Sequence, residues 1–397
     1  MKKSLVLMAM TGVALASCVN DVADVAQKND KVKISFETPV LYNNAESRAE
    51  VYGEIGSHTY EGSPTTYTYP REEKFEIYAV THSGNLAGWK NAVQHEMHGQ
   101  AISWDNSVDG WAPKDADGDF YVWPSETEKM SFAASSPANL ELAGAERTYG
   151  EGGLKIQNFE IQSEPAKQYD LLFSQRAVNK TSANMMHGAS YYSGIAINFQ
   201  HALSSIRFSV QNQTDAVVVL NEIRVGGVKY KGTFTENLDE TSTAAYERGK
   251  NVFPKWELTD DLNSTANLKE DKTAGYLGFT GAVTFPKEAQ YVAAIAATDT
   301  DAVDEVEKSN QLILMPQELG DEAEIYVGYT VNGSFHSKVA KIKGLLDVKD
   351  TPVTTWNMGT RYTYRLVYSS STAAKDVIYF APGTEAWKEH DVVVVEL

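Results

Sequence analysis

The stretch Val32-Lys33-Ile34-Ser35-Phe36-Glu37-Thr38 alternates without exception. Val32, Ile34 and Phe36 fall on one face of an extended chain; Lys33, Ser35 and Glu37 fall on the other. A period of two, with β-branched and aromatic residues on one side, is the pattern of a half-buried β-strand. Outward from it, the same pattern or a short apolar run recurs at 75–80, 120–123, 154–161, 169–173, 203–210, 216–225, 228–234, 291–297, 311–315, 324–331, 335–342, 361–368, 377–380 and 391–397. Turn pairs such as Gly226-Gly227, Asn332-Gly333 and Pro382-Gly383 punctuate these runs. A 3.6-residue period is nearly absent, and only 184–186 and 301–309 suit a helical turn or two. Many short strands without alternating helices predict an all-β chain of antiparallel β-sandwiches. At about 100–200 residues per domain, two fit in tandem. The polar stretch 178–190 is the best boundary, giving an N-terminal sandwich over 32–185 and a C-terminal one over 186–397. The polar run 235–272 reads as a surface excursion.

Composition agrees with a folded chain. Of 397 residues, 42% are hydrophobic, 22% charged and 11% aromatic, so a large core is available and the aromatics lean toward β-structure. The formal net charge of −18 excludes a broad basic surface for nucleic acid, since there is no excess of cations to displace counterions. A single cysteine excludes an internal disulfide and any Cys-rich zinc site.

That cysteine has a telling position. Lys2 and Lys3 precede an apolar run over 4–16, too short to span a bilayer as a helix, which ends Leu15-Ala16-Ser17-Cys18. The arrangement resembles a bacterial lipoprotein signal, cut before Cys18, whose thiol then carries lipid. Residues 1–17 are the signal on this reading, and the small, acidic stretch 18–31 is a tether. The alternative is an ordinary signal peptide cut nearby, with Cys18 discarded. Cysteine suits lipidation because its thiolate is the strongest nucleophile among the side chains.

Catalytic patterns are sparse. His95-Glu96-Met97-His98 lacks the spacing that puts two imidazoles one helical turn apart, and reads as a polar loop. Asp115, Asp117, Asp119 and Glu126 echo a calcium loop, but Phe120 stands where its sharp turn requires glycine, so an acidic hairpin tip is the better reading. Phosphate-cradling glycine loops and nucleophile elbows are missing from the sequence, and spacing picks out no carboxylate pair. Trp89, Trp104, Trp111 and Trp123 cluster in one third of the chain, either as core aromatics or as a platform for sugar. No catalytic, cofactor or metal residues are assigned.

Several phrases together resemble the fimbrillin family, the Mfa-like subunits of type V pili in Bacteroides-type bacteria. They are Phe75-Glu-Ile-Tyr-Ala79, Tyr121-Val-Trp-Pro124, Met130-Ser-Phe-Ala-Ala134, Tyr169-Asp-Leu-Leu172, and Phe199-Gln-His-Ala-Leu203 leading into Ile206-Arg-Phe208. Pro316-Gln317, Trp356-Asn-Met-Gly-Thr-Arg-Tyr-Thr-Tyr364, and Ile378-Tyr-Phe380 with Trp387 complete the set. The resemblance implies two transthyretin-like domains and export as a lipoprotein to the outer membrane and cell surface. It further implies removal of the first strand by an Arg-specific protease, then assembly as a neighbour's strand fills the gap. Arg48-Ala49, in a polar stretch just after the first strand, is the expected cut, with Arg71 as the next site. Losing Val32, Ile34 and Phe36 would open a groove worth roughly 5–9 kcal/mol to whatever refills it. The C-terminal strand 391–397 presents Val393, Val395 and Leu397 on one face. It is either the donated strand or the closing strand of its own domain. The partners implied are further copies or related pilus subunits, the protease and the membrane lipid, with a host glycan or protein as receptor. The rival reading is a glycan-binding surface lipoprotein or pilus-tip adhesin.

Overall fold

The computed structural model describes residues 33–36, 40–41, 69, 71–84, 92–107, 110–124, 128–138, 140, 144–150, 153–174, 176–182, 194–195, 197–236, 254–265, 268, 270–271, 274–292, 311–346, 351–369, 388–389 and 393–396. Among them the chain is almost entirely β, with a 3-10 turn at Pro165–Lys167. The helical turns expected at 184–186 and 301–309, and the strand at 377–380, lie outside the described residues.

The N-terminal sheet runs in the order Val40–Leu41, Asn198–His201, Leu172–Ser174, Lys129–Ser136, Phe75–His82, Val93–Gln94. Ala177–Lys180 also pairs with Lys129–Ser136, and Gln100–Ile102 with Phe75–His82. Both faces of its centre are buried. Phe75, Ile77, Ala79, Met130, Phe132 and Ala134 point into one core with Trp111, Trp123 and Phe199. Tyr78, Val80 and Ala133 point into a second core. There they meet a four-stranded sheet, ordered Lys255–Leu258, Lys231–Thr235, Gly153–Glu160, Glu146–Gly150. Tyr78 stacks on Tyr149 at 4.4 Å, and Phe173 meets Phe234 at 5.2 Å. Two-sided burial erases the alternation that one-sided burial produces, so Lys129–Ser136 reads as a string of small residues and escapes a pattern search.

Two further sheets face each other. One carries Ser204–Asn212 and Thr360–Tyr368, flanked by Gln290–Tyr291, Leu312–Leu314, Lys388–Glu389 and Val393–Glu396. The other is ordered Tyr276–Thr284, Val218–Gly226, Glu324–Val331, Ser334–Lys341. Ile206, Phe208, Tyr362, Tyr364 and Leu366 from the first join Leu220, Ile223, Val225, Ile325 and Val327 from the second in one core. Sheet packs on sheet so closely that a Cβ at Gly278 would stand 2.6 Å from the Phe208 ring. Gly278→Ala is therefore expected to cost about 1–3 kcal/mol, through overpacking of a filled core. Urea unfolding, read as a lowered midpoint, checks it.

Several expectations need correction. The sheets are mainly antiparallel, but Ser204–Asn212 and Thr360–Tyr368 pair in parallel over eight residues. The intervening chain builds the opposite sheet, which supplies the long connection a parallel pair needs. The run 120–123 makes only bridges, Lys114 to Phe120 and Lys33 to Val122. The strand expected from 169 begins at Leu172, because Asp170 turns aside to His201 Nδ1 at 2.9 Å. Within 235–272, Lys255–Leu258 is a strand on Lys231–Thr235. Its Trp256 sits between Phe159 and Phe234 and donates its indole N–H to the Ala202 carbonyl at 2.6 Å. Strands on either side of residue 185 are hydrogen-bonded to one another, Leu172–Ser174 with Asn198–His201 and Gly153–Glu160 with Lys231–Thr235.

The family phrases become polar staples in the fold. Trp356 donates to the Tyr364 hydroxyl at 2.9 Å, and Tyr362 takes the Asn357 N–H at 2.8 Å. The Gln317 amide bonds the backbone of Lys229 twice, accepting from its N–H at 2.8 Å and donating to its carbonyl at 3.0 Å. Each satisfies buried backbone or side-chain groups that would otherwise be left unpaired at a cost.

Candidate functional site

The extended segment 33–36, which makes isolated bridges rather than a continuous ladder, occupies a slot with two walls. Its alternation is realised in space: Lys33 is exposed, while Ile34 is 0% and Phe36 3% exposed. On one side Ile34 N–H donates to Tyr121 O and Phe36 N–H to Trp111 O, both at 2.8 Å. On the other side Ser35 O accepts from Ile195 N–H at 2.8 Å. Phe36 runs antiparallel to Trp111 and parallel to Ile195. Val40–Leu41 then continues in parallel with Asn198–Phe199 at the edge of the N-terminal sheet.

The floor of the slot is aromatic. The Phe36 ring stands edge-on to Phe132 at 5.5 Å and to Phe75 at 6.3 Å. Phe75 touches Trp111 and Phe199 at 5.2 and 5.7 Å, and Trp123 meets Phe132 at 6.0 Å. Edge-on ring pairs add to the burial term, so these contacts favour an aromatic at position 36 over an aliphatic. Burial of Ile34 and Phe36 alone is worth about 3–6 kcal/mol. At the mouth of the slot, the Lys33 and Lys114 ammonium groups lie 4.3 and 4.6 Å from the centre of the Phe120 ring.

Tyr69 is a second wall element. It is 1% exposed, and its ring contacts Phe75, Trp111 and Phe199 within 5.6 Å. Its hydroxyl donates to Lys74 O at 2.9 Å and shares a 2.7 Å bond with the Ser136 hydroxyl. Arg71 follows in an exposed turn, its guanidinium 3.8 Å over the Trp104 ring.

Of the other residues singled out, Val32, Cys18, Arg48, Ala49 and Leu397 lie outside the described residues. Val393–Glu396 pairs in parallel with Tyr364–Val367, which puts Val393 and Val395 in register with Tyr364 and Leu366 of the C-terminal core. Trp111 and Trp123 are core residues at 0% and 4% exposure, and the face of Trp104 is covered by Arg71. Trp89 lies outside the described residues. The acidic tip is a closed turn, in which Asp115 accepts the N–H groups of Asp117 and Asp119 at 3.0 and 2.9 Å. His98 Nδ1 is bonded to the Ala79 carbonyl at 3.0 Å, and His95 packs on Tyr121. Among the described residues, no group of three His, Cys, Asp or Glu is placed to hold a metal ion, and no helix is long and apolar enough to cross a membrane.

Sequence reasoning found the strand but not its slot. Phe75, Phe132 and Phe199 sit in three of the family phrases, yet nothing in their spacing says that they converge on Phe36. Tyr69 closes the short Thr66-Tyr67-Thr68-Tyr69 alternation in a polar run, too brief a signal to single it out.

A family profile described as fimbrillin-like matches residues 65–379. No curated protein matches the chain. Similar solved structures include a protein proposed to act in cell adhesion from Bacteroides uniformis, at 11% identity and TM-score 0.40, covering 86% of this chain and 94% of that one. Another proposed cell adhesion protein, from Parabacteroides distasonis, has 12% identity and TM-score 0.38, covering 92% and 94%. A fimbrial protein from Bacteroides ovatus has 12% identity and TM-score 0.31, covering 93% of this chain and 51% of that one.

Proposed function

We propose that this chain, which belongs to the fimbrillin-like family, is a structural, non-catalytic subunit of a cell-surface pilus that serves adhesion. Export proceeds as a lipoprotein anchored through Cys18 in the outer membrane. An Arg-specific protease cuts between Arg48 and Ala49, and the strand carrying Val32, Ile34 and Phe36 leaves. A strand from the C-terminal region of a neighbouring copy, or of a related subunit, then fills the slot. The candidate is the 391–397 strand, with Val393, Val395 and Leu397 on one face. Head-to-tail donation is a heterologous contact, which grows an open filament rather than a closed ring.

The observation that carries this reading is the slot itself. A first strand is deeply anchored by Ile34 and Phe36, hydrogen-bonded on both sides, and joined to the rest of the chain through the segment that contains Arg48. Removing it uncovers both an apolar groove and the unpaired backbone of Trp111, Tyr121 and Ile195, a combination that demands a new strand. Tyr69 supports the cut at Arg48 over Arg71. Cleavage after Arg71 would also take a fully packed core residue away, whereas cleavage after Arg48 leaves it in place.

Intact mass of the protein taken from native filaments tests the reading. A chain starting at Ala49 is expected; an acylated chain starting at Cys18 inside filaments would overturn it. A second test addresses export. Cys18→Ala is expected to abolish acyl labelling and to stall maturation, because the lipoprotein peptidase acts on the modified cysteine. Normal export and assembly of that variant would exclude the lipoprotein route.

A further inference from the structure

We infer that the outward face of the sheet carrying Ser204–Asn212 and Thr360–Tyr368 holds an oxyanion site, in which Arg365 and Ser209 grip one carboxylate or sulfate group and Arg207 flanks it. The site lies on a sheet that does not include the slot, and it does not depend on what becomes of the first strand.

Alternation sorts the two strands. Ile206, Phe208, Tyr364 and Leu366 point into the core, so Arg207, Ser209, Thr363 and Arg365 share the opposite face. Register then sets the neighbours. Arg207 lies across from Thr363, and Ser209 lies between Arg365 on one side and Tyr291 on the other. Strands about 4.8 Å apart put the Ser209 and Arg365 side chains next to each other. Arg207 is the diagonal neighbour of Arg365, about 7–8 Å away and within reach of a long side chain.

A surplus of donors marks this place as a binding site. Ser209 is 2% exposed, and among the described residues its hydroxyl has no hydrogen-bond partner. The Nε of Arg365 beside it is also buried without one. A buried donor left unpaired carries its full desolvation cost. That same desolvation holds the Arg365 guanidinium below the usual arginine range, and an anion beside it would relieve the penalty. The chain has 53 acidic residues against 35 basic ones, yet among the described residues none forms an ion pair with Arg365. Arg207 is oriented in advance. Its Nε donates to Thr363 Oγ1 at 2.7 Å and its Nη2 to the Tyr291 hydroxyl at 2.8 Å, with the guanidinium 4.2 Å over the Tyr291 ring.

These donors define the ligand. A hydroxyl and guanidinium N–H groups call for a group that accepts several hydrogen bonds and carries negative charge. Water or a neutral sugar hydroxyl bridges the donors but leaves the Arg365 charge unbalanced. A carboxylate or sulfate does both, whether as a free ion or on an acidic sugar.

Isothermal titration calorimetry of the purified chain with sodium sulfate, sodium glucuronate and glucose tests this at low ionic strength. Both anions should bind in about the millimolar range or tighter, and glucose should not. Equal affinities would assign the free ion, and glucuronate at least tenfold tighter would assign an acidic sugar. Arg365→Gln should weaken anion binding at least tenfold, and Arg365→Lys should keep part of it, because the charge stays while the fork is lost. Ser209→Ala should weaken binding at least threefold and leave the melting temperature unchanged or raised, since it removes an unpaired buried hydroxyl. A hydroxyl with only a structural role would not separate binding from stability in this way. Anion soaks of crystals with selenate should place an anomalous peak between Arg365 and Ser209. No saturable binding of either anion, or unchanged affinity in both Arg365→Gln and Ser209→Ala, would overturn the assignment.

Discussion

Arg48→Ala is expected to leave an exported, folded precursor that builds no filaments. The reason is competition for one slot. In the uncut chain the first strand is tethered to its own groove, so it rebinds as an intramolecular ligand at an effective concentration of order millimolar. Its two described anchors, Ile34 and Phe36, add about 3–6 kcal/mol of burial, equivalent to a factor of roughly 10² to 10⁴ against any incoming strand. On the proposed pathway, cutting removes the tether, and the released strand is lost by dilution. Filament yield from the variant, counted by negative-stain microscopy, should fall by at least tenfold, while intact mass shows residues 18–48 retained. Arg71→Ala should leave yield and the processed N-terminus unchanged, because the proposed cut, which preserves Tyr69 in the core, lies upstream of it. Normal filaments from Arg48→Ala together with none from Arg71→Ala would move the cut to Arg71 and require the core to do without Tyr69.

The second large effect is conditional on the state of the chain. Phe36→Ala removes a ring packed edge-on against Phe132 and Phe75 and should destabilise the precursor by about 3–5 kcal/mol. The same substitution should leave the stability of assembled filaments untouched, since on the proposed pathway residue 36 is absent from them. Phe132→Ala, which deletes the floor rather than the occupant, should weaken both. Thermal melting of the purified precursor, and of filaments toward dissociation in guanidinium, separates the two patterns. A loss of filament stability with Phe36→Ala would mean that the first strand stays in the assembled subunit.

The polar groups inside the fold show a different kind of information. Glu236 is 1% exposed, accepts the Leu154 N–H at 2.7 Å, and has its carboxyl pushed up by burial despite the nearby Arg176 charge. Gly153, at φ +89°, makes room for it, since a Cβ there would lie 2.5 Å from Oε2 of Glu236. This fixes the ladder between Gly153–Glu160 and Lys231–Thr235. In the sequence Glu236 is one carboxylate among many at the start of a polar run, and 82 residues separate it from its partner. The same is true of Asp170 and His201, two letters in two family phrases that become one hydrogen-bonded pair at 2.9 Å.

Local chemistry was enough to determine the alternation of 33–36, exposed at Lys33 and buried at Ile34 and Phe36, because alternation is a property of consecutive residues and is read directly from their order. It also determined the all-β class, the boundaries of half-exposed strands such as Gly153–Glu160 to within a residue, and, through phrases spread along the chain, the family. Only the tertiary structure decided which strands meet. It paired Ser204–Asn212 with Thr360–Tyr368 in parallel, drew Trp256 out of a run read as surface, and turned Trp111 and Trp123 from candidate platform into core. It also put Trp111, Tyr121 and Ile195 on either side of Phe36. Pairing of this kind depends on burial and hydrogen bonds between residues tens to hundreds of positions apart. Each strand satisfies its own local pattern with many partners, and the choice among them is made only when all the cores close together.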